Sequence, residues 1–179
     1  MSTQLHKSLP IKGAAIWVLD QNGQPVAATP QADNVPITLP SIDFGTTDVN
    51  IMGTVSIPDF TRVENFQVTA EISVDNPDSK PLKQVGKQAW KITYCTAHID
   101  AATGLETLQG MVVYCTGYIG GIPNAEVNQG SENTATVTMN CMSFKKQTQE
   151  GVIECDIDRS AGKIEIDGKN YTEALASKY

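Results

Sequence analysis

Two stretches of the chain alternate with a strict period of two. Apolar Phe66, Val68, Ala70, Ile72 and Val74 interleave with Asn65, Gln67, Thr69, Glu71 and Ser73. Ala135, Val137, Met139 and Cys141 interleave in the same way with Thr134, Thr136, Thr138 and Asn140. A period of two sends successive side chains to opposite faces of a β-strand, so each stretch has one apolar and one polar face. Both polar faces are built from Thr, Gln, Asn and Ser, with little charge. Such faces suit the wall of a barrel or tube. An ordinary β-sandwich with one solvated face fits the same pattern.

The remaining elements agree with an all-β chain. The alternation predicts a strand over Val63–Val74, and "KQAWKITYCTAHI" predicts another with Trp90, Ile92 and Tyr94 on one face. "DAATG" turns it into "LETLQGMVVYCTGYI". Several of these strands exceed the usual length of about five or six residues. Asn22-Gly23 between apolar runs predicts an N-terminal hairpin over 11–30. "DNPDSKPL" predicts one helical turn and "TEALASK" a terminal helix, giving one or two short helices in all. With 179 residues the chain is read as one domain, 1–179, with a real hydrophobic core. Gln31–Phe60 holds three prolines and reads as an irregular connection. Within it, the long loop 41–58 carries Phe44, Ile51, Met52 and Val55, apolar groups that require a partner.

Composition and motifs exclude several functions. A net charge of −7 argues against a basic nucleic-acid patch. No apolar run approaches the ~20 residues of a membrane span, and the first twenty residues lack a signal sequence, so a cytoplasmic start is expected. Cys95, Cys115, Cys141 and Cys155 are scattered without a CxxC and are expected to be free, buried thiols. Glu154, Asp156 and Asp158 share one strand face, but Gly162 falls one place late for a calcium loop, so they read as a solvated acidic face and no metal is expected. His6, in an N-terminus expected to be loose, and His98 belong to no catalytic motif. Gly117–Gly121 lacks the Lys-Ser/Thr of a phosphate cradle. Neither a catalytic residue nor a cofactor is expected, and the chain does not read as an enzyme.

The order of the pieces resembles the major tail tube proteins of contractile-tailed bacteriophages and the related R-type pyocins. The landmarks are "IWVLDQNG", "VPITLPSI", "RVENFQVTAEI", "GGIPNAEVNQGSENTATVTMNCMSF" and "VIECDID" followed by "IEIDGKNY". They span most of the chain in the family's order.

The resemblance implies a structural virion protein of a tail, assembled in the host cytoplasm. Its hexameric rings would share a β-barrel whose strands join neighbouring subunits, and the rings would stack into the inner tube, a conduit for DNA delivery or membrane puncture. Its partners would be itself, the tail sheath protein, the tape measure protein, the baseplate hub, the tail terminator and, transiently, passing DNA. Phe44, Asp48, Ile51, Met52 and Val55 become candidates for an inter-subunit loop, and Pro123, Asn124, Glu126 and Asn128 for a second one. Gln67, Thr69, Glu71, Ser73, Thr134, Thr136, Thr138 and Asn140 become candidates for the channel lining. A type VI secretion tube protein and a β-sandwich glycan-binding or adhesion module are the other two classes that the pattern admits.

Overall fold

The computed structural model describes residues 6–8, 12–124, 129–130 and 133–171. Among these residues thirteen strands follow one another: β1 (His6–Ser8), β2 (Lys12–Leu19), β3 (Ala32–Asp33), β4 (Ile37–Thr38), β5 (Asp43–Asn50), β6 (Thr54–Glu64), β7 (Gln67–Ser73), β8 (Gly86–Asp100), β9 (Glu106–Ile119), β10 (Thr134–Thr148), β11 (Ile153–Asp158), β12 (Lys163–Ile166) and β13 (Lys169–Asn170). A 3-10 helix, Pro77–Lys83, precedes β8 and is capped by the Asn76 side chain, which accepts from the Asp78 N–H. The all-β reading holds.

One antiparallel sheet carries most of the chain in the order β13-β12-β11-β10-β9-β8-β2-β3, with β1 on β8, β7 on β10 and β4 on β7. β10 organises it. Its first half, Thr134–Asn140, pairs with β7, and its second half lies between β9 and β11. The chain crosses from β3 on β2 to β4 on β7 within a few residues, but β3 and β4 do not pair. The sheet therefore curls around its core without closing, and an isolated subunit is not a barrel.

The core lies inside this curl. Ile16, Val68, Ile72, Trp90, Ile92, Val113, Val137, Met139 and Ile157 are fully buried there. Phe66 and Phe144 meet edge to face at 6.0 Å. The Trp90 indole N–H donates to Gln88 Oε1 at 2.7 Å, which satisfies its one polar group in the interior. Buried Gln31 accepts the Val18 N–H at 2.7 Å, standing in for a strand partner on β2.

A β-bulge between Cys141 and Ser143 shifts the parity of β10. Val137, Met139 and Cys141 face the core before it, and Phe144 faces the core after it. Gly117 lies against the bulge: a Cβ there would stand 2.1 Å from the Asn140 carbonyl oxygen.

Four expectations need correction. The strand expected over Val63–Val74 is two strands, because Asn65 takes a left-handed φ of 52° and separates β6 from β7. The irregular connection contains a ribbon, the β5–β6 hairpin, which pairs with no other strand among the described residues. Pro58 sits within it because both strands of a two-stranded ribbon have an open edge that tolerates the missing N–H. Phe44 is no free loop residue; it packs on the main core at the root of the hairpin. In the N-terminus expected to be loose, His6–Ser8 form a strand that pairs with His98–Asp100 of β8.

Candidate functional site

Each outward side chain of β7 meets one from β10. The register pairs Ser73 with Thr134, Glu71 with Thr136, Thr69 with Thr138 and Gln67 with Asn140. Their neighbours Val68, Ala70, Ile72, Val137 and Met139 are buried in the core. All eight candidates for the channel lining therefore form one contiguous polar patch. Gln67 Nε2 donates to Asn140 Oδ1 at 2.7 Å, and the Thr134 hydroxyl donates to Glu71 Oε1 at 2.9 Å. Glu71 is the one charged residue among the eight.

The rest of that sheet surface differs. A row of register partners, Trp17, Lys91, Tyr114, Lys145, Asp156 and Glu165, crosses β2, β8, β9, β10, β11 and β12. The Lys91 ammonium lies 5.9 Å from the Trp17 ring centre, and Lys163 bridges to Asp156 at 2.9 Å. Glu154 pairs with Lys146 at 3.3 Å. Glu154 and Asp156 thus serve ion pairs, Asp158 accepts from the Ser160 hydroxyl at 2.6 Å, and among the described residues no group of three or more His, Cys, Asp or Glu side chains gathers in a metal-binding arrangement.

The first part of the second loop borders the polar patch. Gly120, Gly121, Ile122 and Pro123 share a groove of ≈ 360 Å³ with Gln67, Thr136, Thr138 and Asn140. Asn124 is exposed. Glu126 and Asn128 lie outside the described residues, as does the expected helix "TEALASK".

Among the described residues, β10 also has an open edge. The Val74 N–H donates to the Asn133 carbonyl and the Cys141 N–H to the Phe66 carbonyl, each at 2.9 Å. Odd-numbered residues of β10 therefore bond to β7, and the backbone groups of Thr134, Thr136 and Thr138 point the other way. On that side pairing with β9 begins at Asn140, opposite Tyr118.

The hairpin is a separate feature. Thr47 pairs with Ile57 and Val49 with Val55, so these four share one ribbon face. Asp48 pairs with Ser56 on the opposite face and accepts its hydroxyl at 2.6 Å. Ile51, Met52, Val55 and Ile57 are exposed, and Met52, with φ of 48°, stands wholly in solvent at the tip.

A cleft of ≈ 710 Å³ went unseen in the sequence. Val35, Ile37 and Leu39 form one wall, with Ile92, Tyr94 and Lys146 opposite. Its walls come from four distant segments, so no local pattern announces it.

No curated protein matches the chain. The family model described as phage tail tube protein FII matches residues 29–178, so this chain belongs to the phage tail tube protein family, a family of structural virion components.

Proposed function

We propose that the chain forms hexameric rings that stack into the inner tube of a contractile tail, with the β7–β10 patch lining the channel. The observation that carries this reading is the character of the patch, which holds eight polar side chains, one of them acidic and none basic. Duplex DNA carries one negative charge per ~1.7 Å of its axis. A lining with inward Lys or Arg would hold it by ion pairing; a neutral to weakly acidic lining lets it slide. The open β10 edge supports strand pairing between subunits, because unpaired backbone groups at a sheet edge accept another strand. Head-to-tail contacts that close make rings.

In this reading Phe44, Asp48, Ile51, Met52 and Val55 mark the hairpin as one contact element, with Phe44 as its anchor. Pro123, Asn124, Glu126 and Asn128 mark the second. The further partners are the sheath, tape measure, baseplate hub and tail terminator proteins. DNA passes without sequence readout, assembly occurs in the host cytoplasm, and no reaction or cofactor is assigned. The test is the double substitution Glu71→Lys with Thr136→Lys, which reverses the sign of the patch. Tubes should assemble, and particles should eject DNA more slowly than wild type, most of all at low salt, where screening is weakest. Ejection unchanged across a salt series would refute the channel assignment.

A further inference from the structure

We infer that the tip of the β5–β6 hairpin docks in the Ile37–Tyr94 cleft of a second copy of this chain. The inference rests on the assembly reading above and names the surface that receives the hairpin.

The ribbon needs a cover. It is amphipathic, with Val49, Val55 and Ile57 on one face and Ile51 and Met52 at the tip. A lone two-stranded hairpin is marginally stable in water. Its own body does not cover the tip, where Ile51 and Met52 are exposed. The hairpin leaves the body at Phe44, which packs on the core a few residues after Leu39 of the cleft wall. Over Phe44–Asn50 it then advances roughly 20 Å, at ~3.4 Å per residue. The cleft that the tip fills therefore belongs to another copy.

The cleft matches the tip in chemistry. Its walls present Val35, Ile37, Leu39 and Ile92, and its volume of ≈ 710 Å³ accommodates several aliphatic side chains. Among the described residues Lys146, which pairs with Glu154, is the one charged residue in its lining. Burial works to lower the Lys146 pKa, but Tyr94 and Glu154 outweigh burial and hold the ammonium above its ordinary value. On the distal part of the hairpin, Thr46–Pro58, the one charged residue is Asp48. An apolar tip with a single carboxylate thus meets an apolar cleft with a single ammonium. Every copy is both donor and acceptor, and such a head-to-tail contact propagates into rings or filaments.

The test places the photoreactive residue p-benzoylphenylalanine at position 52 of the full chain and assembles it with isotope-labelled wild-type chain. Irradiation should join position 52 of one copy to the Val35–Leu39 or Ile92–Tyr94 stretch of another, as read by mass spectrometry of mixed-isotope peptides. Polymers whose cross-links map elsewhere would overturn the docking and leave tube assembly standing. A second variant, Met52→Glu, sets a carboxylate on the tip that is wholly exposed in the single chain and should reduce polymer yield about tenfold or more, with its monomer melting near wild type. Wild-type yield from Met52→Glu would equally overturn the docking. A wild-type chain that stays monomeric even with its tail partners would overturn the assembly reading itself, and the docking with it.

Discussion

Gly117→Ala is expected to be among the most damaging one-methyl changes this chain can suffer. The added Cβ would lie 2.1 Å from the Asn140 carbonyl oxygen, 2.8 Å from its carbonyl carbon and 2.9 Å from the Cys141 Cα. Ordinary contact between a carbon and a carbonyl oxygen is about 3.3 Å. Backbone, not the end of a flexible side chain, occupies the space, so β9 and β10 must part by about 1 Å. Overpacking alone costs roughly 1–3 kcal/mol. Parting the strands also weakens the pairing of Gly117 with Cys141 and of Tyr118 with Asn140, at about 1 kcal/mol for each buried hydrogen bond lost. The total is about 3–5 kcal/mol. With a urea slope of about 2 kcal/mol/M, the unfolding midpoint should fall by roughly 1.5–2.5 M, followed by circular dichroism on the monomer. Gly120→Ala is the control: a Cβ there meets nothing within 4 Å, and its φ is not positive, so its change should stay within about 0.5 kcal/mol. A midpoint for Gly117→Ala within about 0.3 M of wild type, below 1 kcal/mol at that slope, would refute the tight approach of the two strands.

Asp158 should leave a signature in acid. The Ser160 hydroxyl, donating at 2.6 Å, and the N–H groups of Ala161 and Ser160 hold its carboxyl below the ordinary value against a small opposing effect of burial. A depressed folded pKa gives stability that is full above the unfolded value of about 4 and is lost as pH falls through the lower folded value. Urea midpoints of Asp158→Asn should therefore meet those of wild type in strong acid and fall below them above about pH 5; parallel curves would refute the assignment. The four cysteines are free, so a thiol reagent in denaturant should count four, and a count of two or none would reveal a disulfide. In the native state half-exposed Cys95 should react first. Cys155, pushed up to about 11 by burial and then by the charge of Asp156, should lag behind it by about a hundredfold or more.

What the sequence made legible was whatever depends on a local period of two. The faces of β7 and of the first half of β10 follow from alternation alone, and so does the union of Gln67, Thr69, Glu71 and Ser73 with the threonines of β10 once the strands pair. Trp90, Ile92 and Tyr94 share a face as expected, and Asp167-Gly168, both at positive φ, make the turn between β12 and β13. The misses have separate physical causes. The left-handed residue at Asn65 interrupts an unbroken alternation, so nothing in the pattern marks it. The hairpin hid behind Pro58 because proline counts against a strand unless an open edge is foreseen. The cleft joins residues 35–39 to Tyr94 and Lys146, contacts set only by the curl of the sheet.

The bulge in β10 has a bearing on how this chain tolerates insertions and deletions. One residue added or removed between Met139 and Cys141, with the pairing beyond the bulge kept, would turn Val137 and Met139 outward and bring the threonines into the core. Two residues would restore the faces but slide the strand past β7. Length changes in this half of β10 are thus restricted to even steps, and each step shifts the alignment of the patch. The described residues between Gly120 and Asn133, 120–124 and 129–130, take part in no ladder, so no such parity rule acts on them. They are the place in this part of the chain where a foreign peptide could be spliced in without upsetting which residues face inward.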